Sequence, residues 1–357
     1  MATKYKFTKE ECHTVHSDTM LRRMLSMTAV LPTSADSGSR VSGHTQIGKG
    51  QCGKTYTLLR NVDQVYKTPN SLEKIPELQR DFLFHTAVSE AFNNAPEALS
   101  SKALVPRLHG YKSQSVEGDL IAYEIQRHSR GQIDPMAYRS HRLMSERIYP
   151  LHDPIPTALL ESLIPEITPI QRETCLNNPT NNNCLVRLYL GCRGGSRSKI
   201  NPEMMSLRNF PLHVDEMERL CLPITAYITT IAQSLALMHW KAGIDANDVE
   251  FVFGSSRNDS NSEGHTVSIW LLDFNQCQKF SHDQAGLKQL VDGFWWNDPY
   301  YPRPGSSNSQ DKVWWTTFLS KYLDASALLT DSKMPREFIQ AVEAEGERRR
   351  VRPSLFG

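Results

Sequence analysis

The sequence predicts an α+β protein with two lobes, a small antiparallel-sheet lobe followed by a mainly helical lobe. Its 357 residues are 39% hydrophobic and 22% charged, a globular composition in a chain long enough for two packed lobes. Short strand patterns surround a glycine-rich turn in the first half, and a long apolar helix pattern opens the second. We therefore expect an arm and linker at 1–43, the sheet-containing lobe with insertions at 44–222, and the helical lobe with an acidic loop at 223–357.

Charge, hydrophobicity and cysteine content bear on which partners and which cellular compartment the sequence predicts. Forty Lys and Arg residues against 39 Asp and Glu residues leave a net charge of +1, so no overall field attracts nucleic acid or a membrane. No apolar run approaches the roughly 20 residues of a membrane helix, and the polar start lacks the apolar core of a signal peptide. We therefore expect a cytoplasmic protein with no membrane partner. The 7 widely spaced cysteines include no Cys-x-x-Cys pair, which predicts reduced thiols and no metal site.

The expected small lobe begins at the glycine-rich turn. Gly48, Gly50 and Gly53 lie between two strand patterns, and the next strand pattern carries Lys67. Residues 76–92 begin with a proline and have apolar residues at helical spacing, so they predict an amphipathic helix packed on the sheet. Further strands are expected at 120–125, 142–148 and 185–190.

The expected helical lobe begins with residues 224–240, which are apolar on most faces and predict a central buried helix. A short strand, a polar turn and a second strand follow it, with carboxylates where the first strand begins and the second ends. Such a hairpin brings these side chains toward one pocket. The carboxylates are Asp245, Asp248, Glu250 and Asp273. Helices are expected at 284–296, 312–323 and 335–345.

These features follow one another in the order found in protein kinases. A Gly-x-Gly-x-x-Gly loop, a lysine on the next strand, an acidic helix, a long apolar helix and an Asp-Phe dipeptide closing a hairpin succeed one another. Glycines let the backbone approach phosphates closely, and Lys67 supplies a fixed cation. Taken alone, the glycines also fit a tight hairpin with positive φ angles. Lys67 also fits a structural ion pair with Asp81 or Asp273.

Three positions depart from a working kinase. Gly243-Ile244-Asp245 stands where kinases have His-Arg-Asp, Glu250 replaces their metal-binding Asn, and Asn275 replaces the glycine of Asp-Phe-Gly. The added carboxylate repels a triphosphate unless metals are bound, and it suits a guanidinium, which it meets with two parallel hydrogen bonds. The structural alternative is that Asp245 caps a turn while its neighbours are solvated.

Basic residues follow the 185–190 strand pattern. Arg193, Arg197 and Lys199 surround Gly194-Gly195, a composition that fits a loop tracking an RNA backbone. Charge runs of this kind are more often solvated faces.

Several strings resemble a fungal domain of unknown function that is often attached to zinc-finger proteins. They are CLVRLYLG (184–191), LRNFPLHVDEM (207–217), LALMHWKAGIDANDVEFVFGS (235–255), WLLDFNQC (270–277) and NDPYYPRPG (297–305). The resemblance covers roughly residues 48–323, and zinc-finger cysteines are absent from the sequence. Stand-alone members of this group are similar to arginine-containing cyclodipeptide synthases, which join an arginyl and a second aminoacyl residue from charged tRNAs into a diketopiperazine.

This resemblance implies a tRNA-dependent aminoacyltransferase of fungal secondary metabolism. Its partners would be arginyl-tRNA and a second aminoacyl-tRNA, and the transfer itself would need no ATP or other cofactor, with the role of magnesium open. Catalytic roles would fall on Asp245, Asp248, Glu250, Asp273 and Lys67. Substrate would bind at Gly48, Gly50, Gly53 and Asn275, and tRNA at Arg193, Arg197 and Lys199. The alternatives are a kinase-like phosphotransferase that uses ATP and a catalytically inactive kinase-like binding module.

Overall fold

The computed structural model describes residues 5–6, 8, 11–27, 29–31, 45–58, 61–113, 140–195, 197, 205–257, 265–297 and 299–351. The strand expected at 120–125 and the predicted tRNA contact Lys199 lie outside these ranges. Among the helices that are described, none is long and apolar enough to cross a membrane.

The described strands are β1 (Tyr5–Lys6), β2 (Ala29–Leu31), β3 (Gln46–Lys49), β4 (Gly53–Thr57), β5 (Gln64–Pro69), β6 (Leu108–Lys112), β7 (Arg142–Glu146), β8 (Val186–Tyr189), β9 (Phe210–His213), β10 (Glu250–Arg257) and β11 (His265–Leu272). The helices are α1 (Glu11–Thr14), α2 (Ser17–Met24), α3 (Ile75–Asn93), α4 (Ile155–Leu163), α5 (Pro169–Asn177), α6 (Val214–Arg219), α7 (Ile224–Leu237), α8 (Gln284–Trp296), α9 (Ser309–Ala327) and α10 (Met334–Val351). Short 3₁₀ turns at Leu72–Lys74 and Pro179–Asn183 and a π-helical turn at Met238–Ala242 complete the elements.

The smaller lobe is a five-stranded antiparallel sheet in the order β3-β4-β5-β7-β6. Lys67 lies on the central strand β5, opposite Thr55 of β4 and Leu143 of β7. Helix α3, which has a proline in its first turn, packs across this sheet and buries Leu78 and Asp81. Cys52, Leu78 and Leu143 form a separate small core beneath the glycine turn. The helix therefore holds an acidic side chain against the strand that carries the lysine.

The larger lobe surrounds α7, whose apolar residues lie in the main hydrophobic core. This helix matches the predicted central helix and ends in the π-helical turn, after which Gly243 takes a left-handed conformation at φ +68°. Strands β10 and β11 form an antiparallel hairpin in which Glu250 lies opposite Leu272, so the chain segments before β10 and after β11 lie side by side. The smaller antiparallel sheet with α3 and the larger lobe around α7 confirm the predicted α+β class with two lobes.

The second sheet has the order β1-β2-β11-β10-β8-β9. Strand β8 pairs with β10, placing Val186 opposite Phe253, and β9 pairs with β8. Residues of β8 and β9 therefore belong to the larger lobe, although the expected boundary at residue 222 assigned them to the smaller one. The physical reason is that the alternating buried residues of β8, Val186 and Leu188, complete the core around α7.

Candidate active site

Lys67 is held between two carboxylates at the inner wall of the cleft between the lobes. Its Nζ lies 2.7 Å from Oδ2 of Asp81 on α3 and 2.8 Å from Oδ1 of Asp273, which follows β11. The other oxygen of Asp81 accepts a hydrogen bond from the backbone N–H of Phe274 at 3.2 Å. Burial opposes the charge of Lys67, but Asp273 and Asp81 raise the pKa of its ammonium well above the usual value. Lys67 is therefore a permanently charged group that ties the small sheet, α3 and the β11 end together.

A cavity of about 240 Å³ lies between the lobes, next to this lysine. The smaller sheet contributes Ile47 and Val65, and the larger lobe contributes Leu185 and Leu272. Lys67, Asp273 and all three predicted substrate-binding glycines also line it. The structure thus brings the glycine turn, the lysine and two of the four predicted carboxylates, Glu250 and Asp273, to the same space.

The glycine turn closes over this cavity without positive φ angles at Gly48, Gly50 or Gly53. Gly53 is required for a close approach, since a Cβ atom there would lie 2.2 Å from the carbonyl oxygen of Thr68. The tip is held by Asn70, whose Nδ2 donates to the carbonyls of Gly50 and Gln51 at 2.9 and 2.8 Å. The alternative interpretation of the glycines as positive-φ hairpin residues is therefore wrong, because packing against β5 is what demands the missing side chain at Gly53.

Asp245 lies apart from the interlobe cavity. Its carboxylate accepts hydrogen bonds from the backbone N–H groups of Asn247 and Gln278, at 3.1 and 2.9 Å, and from Nε2 of Gln289 at 2.7 Å. Burial raises its pKa, and these hydrogen bonds oppose the shift. The residue lines a second, separate cavity of about 400 Å³ with Trp296. The turn-capping alternative describes Asp245 better than direct contact with a ligand in the interlobe cleft.

Asp248 stands between these two regions. Its N–H donates to Oδ1 of Asn297 at 2.6 Å, and its Oδ2 accepts from Nε2 of Gln276 at 2.7 Å. Burial, followed by the negative charge of Asp273, raises the pKa of the Asp248 carboxyl. The carboxylate is therefore electrostatically coupled to the cleft, although it does not line it.

Glu250 lines the cleft but is already paired with a guanidinium of the chain itself. Nη2 of Arg187 on β8 donates to its Oε1. Burial raises the pKa of Glu250, and Arg187 lowers it. The predicted capture of a substrate guanidinium by Glu250 thus competes with an internal arginine, because β8 lies beside β10 in the sheet. Sequence reasoning missed Arg187; its position on a predicted strand was visible, but not which strand it would neighbour.

Arg208 is the second cleft residue that sequence reasoning missed as a site residue. It precedes β9, and its Nη2 donates to the carbonyl oxygen of Lys49 in the glycine turn at 3.2 Å. Burial and the nearby charge of Arg187 lower the pKa of Arg208. A guanidinium of the larger lobe therefore contacts the glycine turn of the smaller lobe directly.

Strained backbone concentrates at this site. Ala246, Asp248 and Asp273 have φ angles of 53°, 62° and 68°, in the left-handed region that residues with a Cβ rarely adopt.

Asn275 is 3% exposed, and its Oδ1 accepts no hydrogen bond from the described residues. It does not line the cleft, so the structure places this predicted substrate-binding residue outside the interlobe cavity.

The predicted tRNA-contacting arginines are engaged elsewhere. Arg197 is 7% exposed, forms an ion pair with Glu216 and stacks over Phe210, so its guanidinium faces protein and not solvent. Its assignment to an RNA backbone is wrong for that reason. Arg193 is more exposed, but its guanidinium already bridges Glu218 and Asp311.

The carboxylates that could bind a metal in the cleft also form ion pairs. Within the described ranges no group of three or more His, Cys, Asp or Glu residues is arranged to hold a metal ion. At the two positions from which kinases bind magnesium, Asp273 is paired with Lys67 and Glu250 with Arg187.

Comparison with known proteins gives limited likenesses. A family model described as DUF3669, zinc finger protein, matches residues 269–334. No curated protein matches the chain.

Among solved structures, the GDP and kanamycin complex of APH(2")-IIia is 11% identical over 86% of this chain and 94% of that chain, with a TM-score of 0.24. A SAICAR synthase is 13% identical over 85% and 99%, with a TM-score of 0.23. The SAICAR synthase of Saccharomyces cerevisiae complexed with SAICAR is 12% identical over 84% and 98%, with a TM-score of 0.21.

Proposed function

We propose that the protein is a transferase that forms an arginine-containing cyclic dipeptide from arginyl-tRNA and a second aminoacyl-tRNA. The observation that carries the proposal is the altered cleft. It keeps the Lys67, Asp81 and Asp273 arrangement of a kinase-like fold, but its Glu250 is paired with Arg187. Such a cleft retains a cation and a carboxylate beside a ligand cavity, while the carboxylates at its two kinase metal positions are paired with Lys67 and Arg187. The sequence resemblance points to the same activity.

The reaction needs no further energy source, because both substrates are activated esters. The α-amino nitrogen of one aminoacyl group attacks the ester carbonyl of the other, a C–N bond forms, and the C–O bond to the tRNA ribose breaks. The proton lost by the amine passes to the leaving ribose oxygen. A second attack of the same kind closes the ring and releases the second tRNA. What the protein must supply is orientation, a proton acceptor and stabilisation of the tetrahedral oxyanion.

Lys67 and Asp273 fit these roles. Lys67 uses two of its three ammonium N–H donors on Asp81 and Asp273, which leaves the third for an oxyanion in the cavity. Asp273 uses Oδ1 for the lysine, and its Oδ2 can accept a proton or hydrogen bond from the attacking amine. The unperturbed pKa of an α-amino group is about 8, so only mild assistance is needed.

The remaining carboxylates take narrower roles in this proposal. Asp248 lies close enough to Asp273 for the negative charge of Asp273 to raise its pKa, while Asp245 holds the turn before β10. Glu250 positions Arg187 at the cleft wall.

The test supplies arginyl-tRNA and a mixture of other aminoacyl-tRNAs, charged beforehand, to the purified protein without ATP. The expected result is a cyclic dipeptide containing labelled arginine, detected by mass spectrometry and abolished by RNase. Asp273→Asn should lower its rate of formation at least about 100-fold. Asp324→Asn, at an exposed site on α9, is the matched control and should act as wild type.

Absence of labelled product with folded wild-type protein and intact charged tRNAs would contradict the proposal. Full activity in folded Asp273→Asn would leave the reaction in place but contradict the role given to this carboxylate.

Phosphotransfer is the second candidate, favoured by the Lys67–Asp81 ion pair next to Asp273, the arrangement that positions ATP in protein kinases. Under that alternative the protein binds ATP with Mg²⁺ and hydrolyses or transfers its γ-phosphate, and precharged tRNAs yield no product. Radiolabelled ATP in the same preparation distinguishes the two candidates.

A further inference from the structure

The walls of the interlobe cavity suit a flat aromatic group. Ile47 and Val65 face it from the smaller sheet, and Leu185 and Leu272 from the larger lobe. Apolar side chains from both lobes thus enclose one space of about 240 Å³. A planar base inserted there would bury both of its faces against aliphatic groups.

Two asparagines add polar groups to the same cavity. Asn183 and Asn209 line it. Asn209 has a left-handed φ of 56°, a conformation that asparagine tolerates better than most residues. An asparagine amide presents a donor and an acceptor side by side, which match the N6 and N7 edge of adenine.

The charges that line the cavity are balanced. The cations are Lys49, Lys67, Arg187 and Arg208, and the carboxylates are Asp81, Glu146, Glu250 and Asp273.

Among the described residues, no carboxylate forms an ion pair with one partly buried cation of the cavity, Arg208. Lys67 is held by two carboxylates and Arg187 by Glu250, whereas the described contact of Arg208 is to a backbone carbonyl. A triphosphate would add several negative charges that these pairs do not neutralise, but a single phosphodiester matches one guanidinium.

We propose that this cavity binds the terminal adenosine of an aminoacyl-tRNA. The base lies between the aliphatic walls with its edge toward the asparagine amides, the 5′ phosphodiester lies at Arg208, and the aminoacyl ester faces Lys67 and Asp273. The inference deepens the proposed function and rests on it, because it identifies the part of the tRNA that the cleft recognises. Most of the tRNA then stays outside the protein, which accords with the net charge of +1.

The probe is a stable analogue in which arginine is joined by an amide to the 3′-amino group of adenosine, which carries cytidine on its 5′ phosphate. Its binding to the full chain is measured by calorimetry at several salt concentrations. Arg208→Ala should weaken binding about tenfold. It should also reduce the slope of log K against log salt by about 0.7, the value for one contact to a single-stranded phosphate. Lys54→Ala, on β4 outside the cavity, should change neither quantity.

A ligand-side deletion keeps the test valid if Arg208→Ala fails to fold. The same analogue without the cytidine and phosphate should bind wild-type protein about tenfold more weakly and with a flatter salt dependence. In a competition experiment with a labelled form of the analogue, ATP with Mg²⁺ should displace the label less effectively than the unlabelled analogue does.

Equal affinity of the two analogues, or better displacement by ATP, would overturn the adenosine assignment. The outcomes also separate the two proposals. Cyclic dipeptide formation by a protein that does not bind the analogue would refute the adenosine site alone. Binding of the analogue by a protein that forms no product would refute the proposed reaction while the adenosine site stands.

Discussion

Two groups of buried charges in this molecule have similar chemistry but different surroundings. Lys67 lies between Asp81 and Asp273 at the wall of a cavity, whereas Arg197 is paired with Glu216 inside the larger lobe. In the second group Arg197 also donates to the carbonyl of Pro211, and Glu216 accepts from the backbone N–H of His213, so the hydrogen-bonding groups of the pair are used within the protein.

The two groups differ in whether hydrogen-bonding positions remain available to a ligand. Lys67 and Asp273 each keep a hydrogen-bonding position toward the cavity, and Asp273 is 29% exposed at its side chain. The side chains of Arg197 and Glu216 are 7% and 8% exposed and face protein groups. A buried ion pair is weak evidence of function by itself. The pair that borders a cavity is the one to test for chemistry, and the enclosed pair is the one to test for stability.

The largest effect is expected for Lys67→Met. This change removes the cation from two carboxylates and from the proposed oxyanion, so formation of the arginine-containing product should fall at least about 100-fold. Stability should fall by about 3 kcal/mol because the carboxylates are left unpaired. Rates with precharged tRNA and urea unfolding measure the two effects. Lys54→Met on the adjacent strand is the control, and wild-type rates in folded Lys67→Met would remove the lysine from the mechanism.

Glu216→Gln should affect stability and spare chemistry. Burial opposes its ionisation, but the hydrogen bonds from Arg197 and His213 lower the pKa of Glu216 from 4.5 to about 2. The corresponding stabilisation, at most about 3 kcal/mol, is present above pH 4.5 and is lost as the pH falls toward 2. The variant should be less stable at pH 7 and should lack this part of the acid dependence. Urea unfolding across this pH range measures it, and a parallel loss of turnover in folded protein would contradict the distinction.

The glycine turn gives a smaller, paired prediction. Gly53→Ala should destabilise the protein by about 1 to 3 kcal/mol, because the added Cβ meets the Thr68 carbonyl oxygen at 2.2 Å. Gly50→Ala should change stability by less than about 0.5 kcal/mol, because the nearest atom to its Cβ is 4.0 Å away. Thermal and urea unfolding of the two variants measure the contrast. Equal effects would mean that the turn does not pack against β5 as described.

Arg193→Ala should have the smallest effect. Its guanidinium bridges Glu218 and Asp311 at a partly exposed site, and such pairs contribute at most about 1 kcal/mol. The salt dependence of tRNA binding should be unchanged, as measured by filter binding at several salt concentrations. A clear decrease in the salt slope would restore Arg193 as a phosphate contact.

Local patterns were sufficient to predict much of the fold. The apolar run at 224–240 predicted α7, and glycine spacing followed by a strand with Lys67 predicted the β3 to β5 unit. Amino-acid composition does not show which residue of a polar stretch is buried. Residues 177–183 are rich in asparagine, a composition typical of a solvated loop, yet Asn181 is 4% exposed and donates to the carbonyl of Cys175 at 2.8 Å.

By itself, the sequence determined the order of the elements and the position of Lys67 and Asp273 within them, because helical and strand periodicity and turn residues act over short stretches of chain. Tertiary structure alone decided which charged groups meet. Lys67 and Asp273 are 206 residues apart, and Arg187 reaches Glu250 because β8 lies next to β10 in the sheet. Such pairings depend on strand order and lobe packing, which no local pattern specifies. Of the four predicted carboxylates, Asp273 and Glu250 therefore line the cavity, Glu250 paired with Arg187, whereas Asp245 and Asp248 lie outside it.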